Sequence, residues 1–301
     1  MKMLVKEVRV PVATVWTDPD SVRPVDGPAA AADPDIPGWL AQMTRKQTID
    51  LCDEKRVQTQ VLFGDKVIVG SIRDGWAYVM VPAQMSAKDS RGYPGWMPAG
   101  QLTAPHAAAG GEKVMVQSKL APFFDRHQTP VLTLSFGTFL DFLGGEGTRV
   151  KVASPSGNGY LNSEDVIFPF RRPKDTGEKI VANAMRFLDL PYLWSGMSAY
   201  GYDCSGFSYS MLRAGGYLIP RDADDQSVKG REIAKAEMKP GDLLYFAYEQ
   251  GRGYVHHVGI YAGDGKMVHS PTPGKIVSLT ELAGTIFEEE LCTVRRYWKE
   301  N

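Results

Sequence analysis

A cysteine becomes a useful nucleophile when its surroundings favour the thiolate, and Cys204 in the run GYDCSGF has such a setting. The residues CSGFSYSMLRAGG read as a helix that stops at Gly215 and Gly216. Asp203 can cap that helix, which puts Cys204 in its first turn. A helix N-terminus carries partial positive charge, and cysteines placed there have pKa values lowered to roughly 3.5–7.5. The other cysteines, Cys52 and Cys292, lack any comparable setting and read as structural thiols.

A catalytic thiol needs a base. Three of the five histidines, His256, His257 and His269, fall within YVHHVGIYAGDGKMVHS, which reads as a hairpin about Gly263-Asp264-Gly265. Side chains alternate along a strand, so the loop length decides which histidines share a face. A two-residue turn at Asp264-Gly265 would pair His256 with His269, and a three-residue loop would pair His257 with His269. Two histidines on one face suit a base and its orienter. They would also suit two metal ligands, but no third ligand stands at a sensible spacing and no metal or other cofactor is expected.

The elements that must position these groups change character along the chain. Val8, Val10 and Val12 alternate as in a strand, Asp18 to Pro37 reads as a loop, and Trp39, Leu40, Met43, Gln47 and Leu51 follow helical spacing. A weak repeat follows. GDKVIVGS, GWAYVMV and GWMPAGQL in the first copy match GTFLDFLGG, TRVKVAS and GYLNSEDV in the second. Thr103 to Glu112 reads as a linker, and FPFRRPKD as the next boundary. Beyond Thr176, helices come first (EKIVANAMRFL, then the Cys204 helix) and strands after (GDLLYFAY, YVHHVGIYAG, KMVHSP, TVRRYW). That order argues an α+β domain with an antiparallel sheet.

The totals add exclusions. A net charge of −1 over 301 residues gives no electrostatic reason to expect nucleic acid or an anionic membrane as partner. No apolar run approaches a bilayer span, and Lys6, Glu7 and Arg9 interrupt the N-terminal one, so a cytoplasmic location is expected. Three scattered cysteines do not make a disulfide framework.

PYLWSG, YDCSGF, IPRDADDQ, GDLLYF and HVGIYAGDGKMVHS, occurring in that order over about residues 176–301, resemble the NlpC/P60 cysteine peptidases of bacterial cell-wall metabolism. The resemblance implies Cys204 as nucleophile, His257 as base and His269 as the third polar residue, and therefore an odd hairpin loop. It also implies Tyr192 near the nucleophile, where its hydroxyl would help hold an oxyanion. GYPGW and PRDA resemble the YkfC-like branch, whose members carry SH3-like domains ahead of the peptidase. The implied fold is an α+β papain-like (NlpC/P60) catalytic domain at 173–301. Two small all-β SH3-like barrels precede it, at 1–104 (with an inserted loop and helix) and 105–172.

That branch cleaves murein peptides between γ-D-Glu and the diamino acid and requires a free N-terminal L-Ala. The implied partner is a murein-derived peptide met in recycling, and a monomer is expected. A buried ammonium must be paired, and the resemblance assigns Asp222 of PRDA as the carboxylate, Ser205 as a nearby polar group and Tyr93 of GYPGW as a wall. The chain departs from the pattern at Ser195, where the family shows glycine, and at Gln58, where the branch suggests glutamate. The competing readings are a non-catalytic wall-binding or peptide-binding protein, and an amidase or acyltransferase on the same fold.

Overall fold

The structure is a computed structural model that describes residues 4–106 and 111–300. The chain divides into two compact units. One runs through Arg172 and takes in Met197–Tyr200; the other comprises Pro173–Gly196 and Gly201–Asn301.

The first unit holds two seven-stranded sheets. The first contains β1 (Leu4–Val8), β2 (Val12–Trp16), β3 (Val57–Leu62), β4 (Lys66–Arg73), β5 (Trp76–Val81), β6 (Tyr93–Pro98) and β7 (Leu102–Thr103). The second contains β8 (Lys113–Val116), β9 (Leu120–Phe124), β10 (Pro130–Ser135), β11 (Phe139–Glu146), β12 (Arg149–Ala153), β13 (Gly159–Asn162) and β14 (Val166–Ile167). Their strand orders are β3-β2-β6-β5-β4-β1-β7 and β10-β9-β13-β12-β11-β8-β14. Position by position these are the same order, so the repeat legible in the sequence is a repeat of topology. Each order has two ends, and among the described residues the hydrogen bonds do not close either sheet on itself, where SH3-like barrels were expected. Each sheet buries its own apolar set. Val8, Val15, Val61, Val79 and Met97 fill the first, and Val114, Phe123, Leu134, Val152 and Leu161 the second.

Between β2 and β3 lie α1 (Gly27–Ala30), α2 (Ile36–Gln42) and α3 (Arg45–Asp53). The single helix expected across Trp39–Leu51 is broken at Met43 and Thr44. Thr44 starts a new helix through a capping box, in which its hydroxyl accepts the Gln47 N–H and the Gln47 side chain accepts the Thr44 N–H. Trp39 on α2 covers Trp16, with ring centroids 6.0 Å apart, and its Nε1 donates to Asp26 at 2.9 Å. The expected linker at Thr103–Glu112 falls partly on residues 107–110, outside the described residues.

The second unit begins with α4 (Gly177–Met185), capped by Thr176. The two-residue strand β15 (Met197–Ser198) falls to the first unit; in the second, the two-residue strand β16 (Gly201–Tyr202) leads to α5 (Cys204–Ala214), followed by α6 (Ala223–Ser227). Then come β17 (Arg231–Glu232), β18 (Leu243–Ala247), the short turn α7 (Tyr248–Gly251), β19 (Val255–Gly263), β20 (Lys266–His269), β21 (Ser278–Glu281), α8 (Ile286–Glu290) and β22 (Leu291–Arg296). The sheet order is β17-β22-β18-β19-β20-β21, and its described pairings are antiparallel. Leu244, Phe246, Met267, Leu291 and Val294 form its core. From Ser205 to Leu212 every residue of α5 is buried, so the helix is a core element with its N-terminus brought to the sheet.

Candidate active site

Cys204 is the first residue of α5. The Asp203 side chain caps the helix by accepting the Gly206 N–H at 2.6 Å. A group not singled out in the sequence holds that cap. Arg221, fully buried, donates through Nη2 to Asp203 Oδ2 at 2.8 Å and through Nη1 to Oδ1 at 3.2 Å and to Ser205 Oγ at 2.8 Å. Gln226 from α6 then donates to the Pro220 carbonyl at 2.8 Å, tying the PRDA segment in place. The fork of a guanidinium onto a carboxylate is the strongest of the ordinary side-chain pairings. Its consequence here is a Cys204 whose backbone is fixed on both sides.

The histidines reach one face by a route the sequence reading did not foresee. Gly263 pairs with Lys266, so the hairpin turn has two residues, Asp264 at φ 50° and Gly265 at φ 68°, the signature of a type I′ turn. An odd loop was expected, and that expectation is corrected. The register instead shifts between Tyr261 and Gly263, leaving Ala262 unpaired. This β-bulge flips the parity of everything before it. Ile260 opposes Val268, so Gly259 opposes His269 and shares its face with His257. A Cβ at Gly259 would sit 2.5 Å from Met267 Sδ, so a larger residue there would displace that side chain. His257 Nε2 and His269 Nδ1 are 2.7 Å apart, and His269 Nε2 lies 3.0 Å from Thr280 Oγ1 on β21. His256 leaves this array and meets Glu290 Oε2 at 3.0 Å, stacked on Tyr248 at 4.0 Å.

The electrostatics correct a second expectation. Cys204 is partly exposed as a residue, yet the protein around its thiol is dense enough for desolvation to dominate. Burial, reinforced by the Asp203 carboxylate, pushes the thiol pKa up to about 12. The Val258 N–H, the Arg221 charge and the Ser205 N–H act in the opposite direction without winning. The helix N-terminus therefore does not by itself make a resting thiolate. Burial also holds both histidines neutral. His257 is pushed well below its ordinary 6.5 by desolvation and by the neighbouring His269 and His256, and His269 is lowered to about 4 by desolvation. The Val258 N–H on the sulfur places Cys204 beside the strand position next to His257. The arrangement is a neutral thiol near a neutral histidine pair, equipped for proton transfer during attack.

The remaining sequence candidates are placed as follows. Tyr192 is buried and bridges in parallel to Tyr202, the residue before the cap. The Ser205 hydroxyl is taken up by Arg221. Asp222 stands at the start of α6 with its side chain 27% exposed and Oδ1 3.9 Å from Arg221 Nη1. Tyr93 belongs to the first unit, at the start of β6, where Lys88 donates to its hydroxyl and also to Gln58 Oε1 at 2.9 Å. Ser195, the departure from the family glycine, has φ 61°, a left-handed conformation that glycine would adopt without strain. Among the described residues no group of three or more His, Cys, Asp and Glu gathers to hold a metal, and no helix is long and apolar enough to cross a membrane.

A family model described as the NlpC/P60 family matches residues 189–296, and one described as the YKFC SH3b2 domain matches residues 116–168. The γ-D-glutamyl-L-lysine dipeptidyl-peptidase of Bacillus subtilis (strain 168) is 44% identical over 289 residues, covering 96% of this chain and 97% of that protein. A protein of the same name from Bacillus cereus is 35% identical, covering 96% of this chain and 90% of its own. The crystal structure of an NlpC/P60 family protein from Bacillus cereus superposes with a TM-score of 0.93 at 34% identity, over 98% of this chain and 99% of that one. Likeness of this extent across whole chains means that this chain belongs to the NlpC/P60 family of cysteine peptidases, with an SH3b domain ahead of the peptidase domain.

Proposed function

We propose that this chain hydrolyses the bond between γ-D-glutamate and an L-diamino acid in murein-derived peptides that begin with a free L-alanine. The observation that carries the reading is the His257–His269–Thr280 chain beside Cys204. The names of the whole-chain relatives supply the bond and suggest L-lysine on its leaving side. If His257 donates from Nε2 to His269 Nδ1, and His269 from Nε2 to Thr280, the lone pair of His257 is left on Nδ1. That nitrogen takes the Cys204 proton as Sγ attacks the γ-glutamyl carbonyl carbon. Backbone N–H groups at the start of α5 and the Tyr192 hydroxyl receive the oxyanion. The C–N bond breaks as His257 returns the proton to the leaving amine. Water, activated by His257, then splits the thioester and releases L-Ala-D-Glu.

A thiol near 12 and a depressed histidine make a resting ion pair costly, so proton transfer belongs to the attack itself. Asp222 and Ser205 are assigned to recognition of the substrate ammonium. A free L-Ala amine arises only once the peptide has left its sugar, so soluble turnover fragments are the substrate class. The sheet of β1–β7 is assigned as a second SH3-like domain, supported by the strand order it shares with β8–β14.

The test is incubation with L-Ala-γ-D-Glu-L-Lys, its meso-diaminopimelate counterpart and the N-acetylated forms, followed by mass spectrometry. Release of L-Ala-D-Glu from the free peptides alone is expected. No release from any of them removes the reading, and equal rates on acetylated peptides remove the ammonium from it.

Two further results are expected. The base must be neutral to act, and its pKa is depressed, so the acidic limb of kcat/KM should lie below pH 6.5. That limb belongs to the coupled histidine pair rather than to one ring, and a limb at or above 6.5 would contradict the buried neutral pair. His269→Ala should lower kcat on the order of 10²-fold with KM nearly unchanged, because it removes the orienter and not a binding group.

A further inference from the structure

α8 is five residues long, yet it is fastened to the strand of the bases at two points. The Phe287 ring centroid lies 5.4 Å from that of His257, 5.1 Å from that of His269 in an edge arrangement, and 5.0 Å from that of Phe246. One turn on, Glu290 meets His256 at 3.0 Å. Phe287 is itself only partly buried, whereas His257 is 4% exposed and His269 2%. One side chain therefore packs against both imidazoles and is itself partly exposed to solvent.

We infer that Phe287 is a positioning residue, sealing the His257–His269 hydrogen bond from water and holding both rings in the arrangement that leaves His257 Nδ1 free to accept the thiol proton. This rests on the site reading above and adds a residue that neither the motif nor the hairpin supplies. Water admitted at that bond would compete for His269 Nδ1, letting the His257 ring turn and its tautomer change. It would also solvate the charged forms, and desolvation is the first cause of both depressed histidine pKa values. The titratable groups that act on the pair are His256 on the same strand and, through His256, Glu290 from α8; Cys204 from α5 meets that strand at the neighbouring Val258 N–H. The neighbouring strands contribute Phe246 and Thr280.

The test compares the full chain with Phe287→Ser and Phe287→Leu, reading histidine ring titrations by NMR and the pH profile of kcat/KM. In the serine variant the His257 and His269 titrations should move up toward 6.5, with kcat at neutral pH down by ~10-fold or more and KM within ~2-fold. The leucine variant, apolar but without the ring, should show a smaller upward shift and lose only about 3-fold in kcat. A residue that merely fills the core would change the denaturation midpoint and leave both titrations where they are; that result overturns the inference. Should the serine variant unfold, the leucine variant decides, and an unchanged His269 titration in it is equally fatal. The NMR reading needs no substrate, so failure of the peptides to be cleaved would count against the proposed function and not against this role.

Discussion

Cys204→Ala should leave the chain folded and reduce kcat/KM for the L-Ala-γ-D-Glu-diamino acid peptide by ~10⁴-fold or more. Folding survives because the substitution removes one sulfur atom and none of the cap. Asp203 still accepts the Gly206 N–H, and Arg221 still grips Asp203. Catalysis does not survive, because the covalent intermediate has no other atom on which to form. The cysteine has two companions in the chain, and neither can replace it. Cys292 donates to the Tyr245 carbonyl at 3.2 Å, and Cys52 lies on α3 of the first unit. The measurement is steady-state release of the diamino acid, beside circular dichroism of the same samples. His257→Ala should lose a similar amount, and the double variant little more, since nucleophile and base act as a unit. Full activity in a folded Cys204→Ala protein would remove the thiol from the chemistry and with it the whole assignment.

Arg221→Met should cost about 3–5 kcal/mol of stability, the scale expected when one partner of a buried ion pair is removed. Arg221 is fully buried and Asp203 5% exposed, so the carboxylate left behind would have neither water nor a cation. Ser205 Oγ loses its donor in the same step. The loss should register as an earlier denaturation midpoint of the second unit. The double variant Asp203→Asn, Arg221→Met should recover part of it, because the stranded charge is gone. Activity should not recover in parallel, since the tie that fixes the nucleophile turn stays broken. An Arg221→Met protein as stable as the parent would mean that the pair holds nothing.

These two residues differ in how visible they were. Cys204 and its cap are local. Asp203 and Gly206 are three residues apart, so DCSG already specifies a capped helix start with the thiol in its first turn. Arg221 lies 18 residues from Asp203 and reads, one residue before Asp222, as part of a loop. Only the path of the chain through α5 and back brings them together. The same holds for Thr280 and Phe287, which stand in segments with no motif and touch the histidines through the sheet edge and a five-residue helix.

The histidine hairpin shows the division most sharply. Alternation and the turn residues were enough to give strands, a turn about Gly263-Asp264-Gly265 of open length and a choice of two histidines, and the odd loop expected there was not the one formed. Whether His256 or His257 joins His269 depended on one unpaired residue, Ala262, and composition does not signal a bulge there. The thiol carries the same lesson in energetic form. The helix N-terminus, read from a few residues, argued for a low pKa, but burial depends on every segment packed around the sulfur, and burial won. The sequence by itself therefore determined which groups can react and the repeated strand pattern ahead of them, because these follow from near neighbours and period. The tertiary structure alone decided by what register a histidine comes to face His269, what clamps the turn that carries Cys204 and how far water is kept from its thiol, because each depends on register, distant contacts and the exclusion of water.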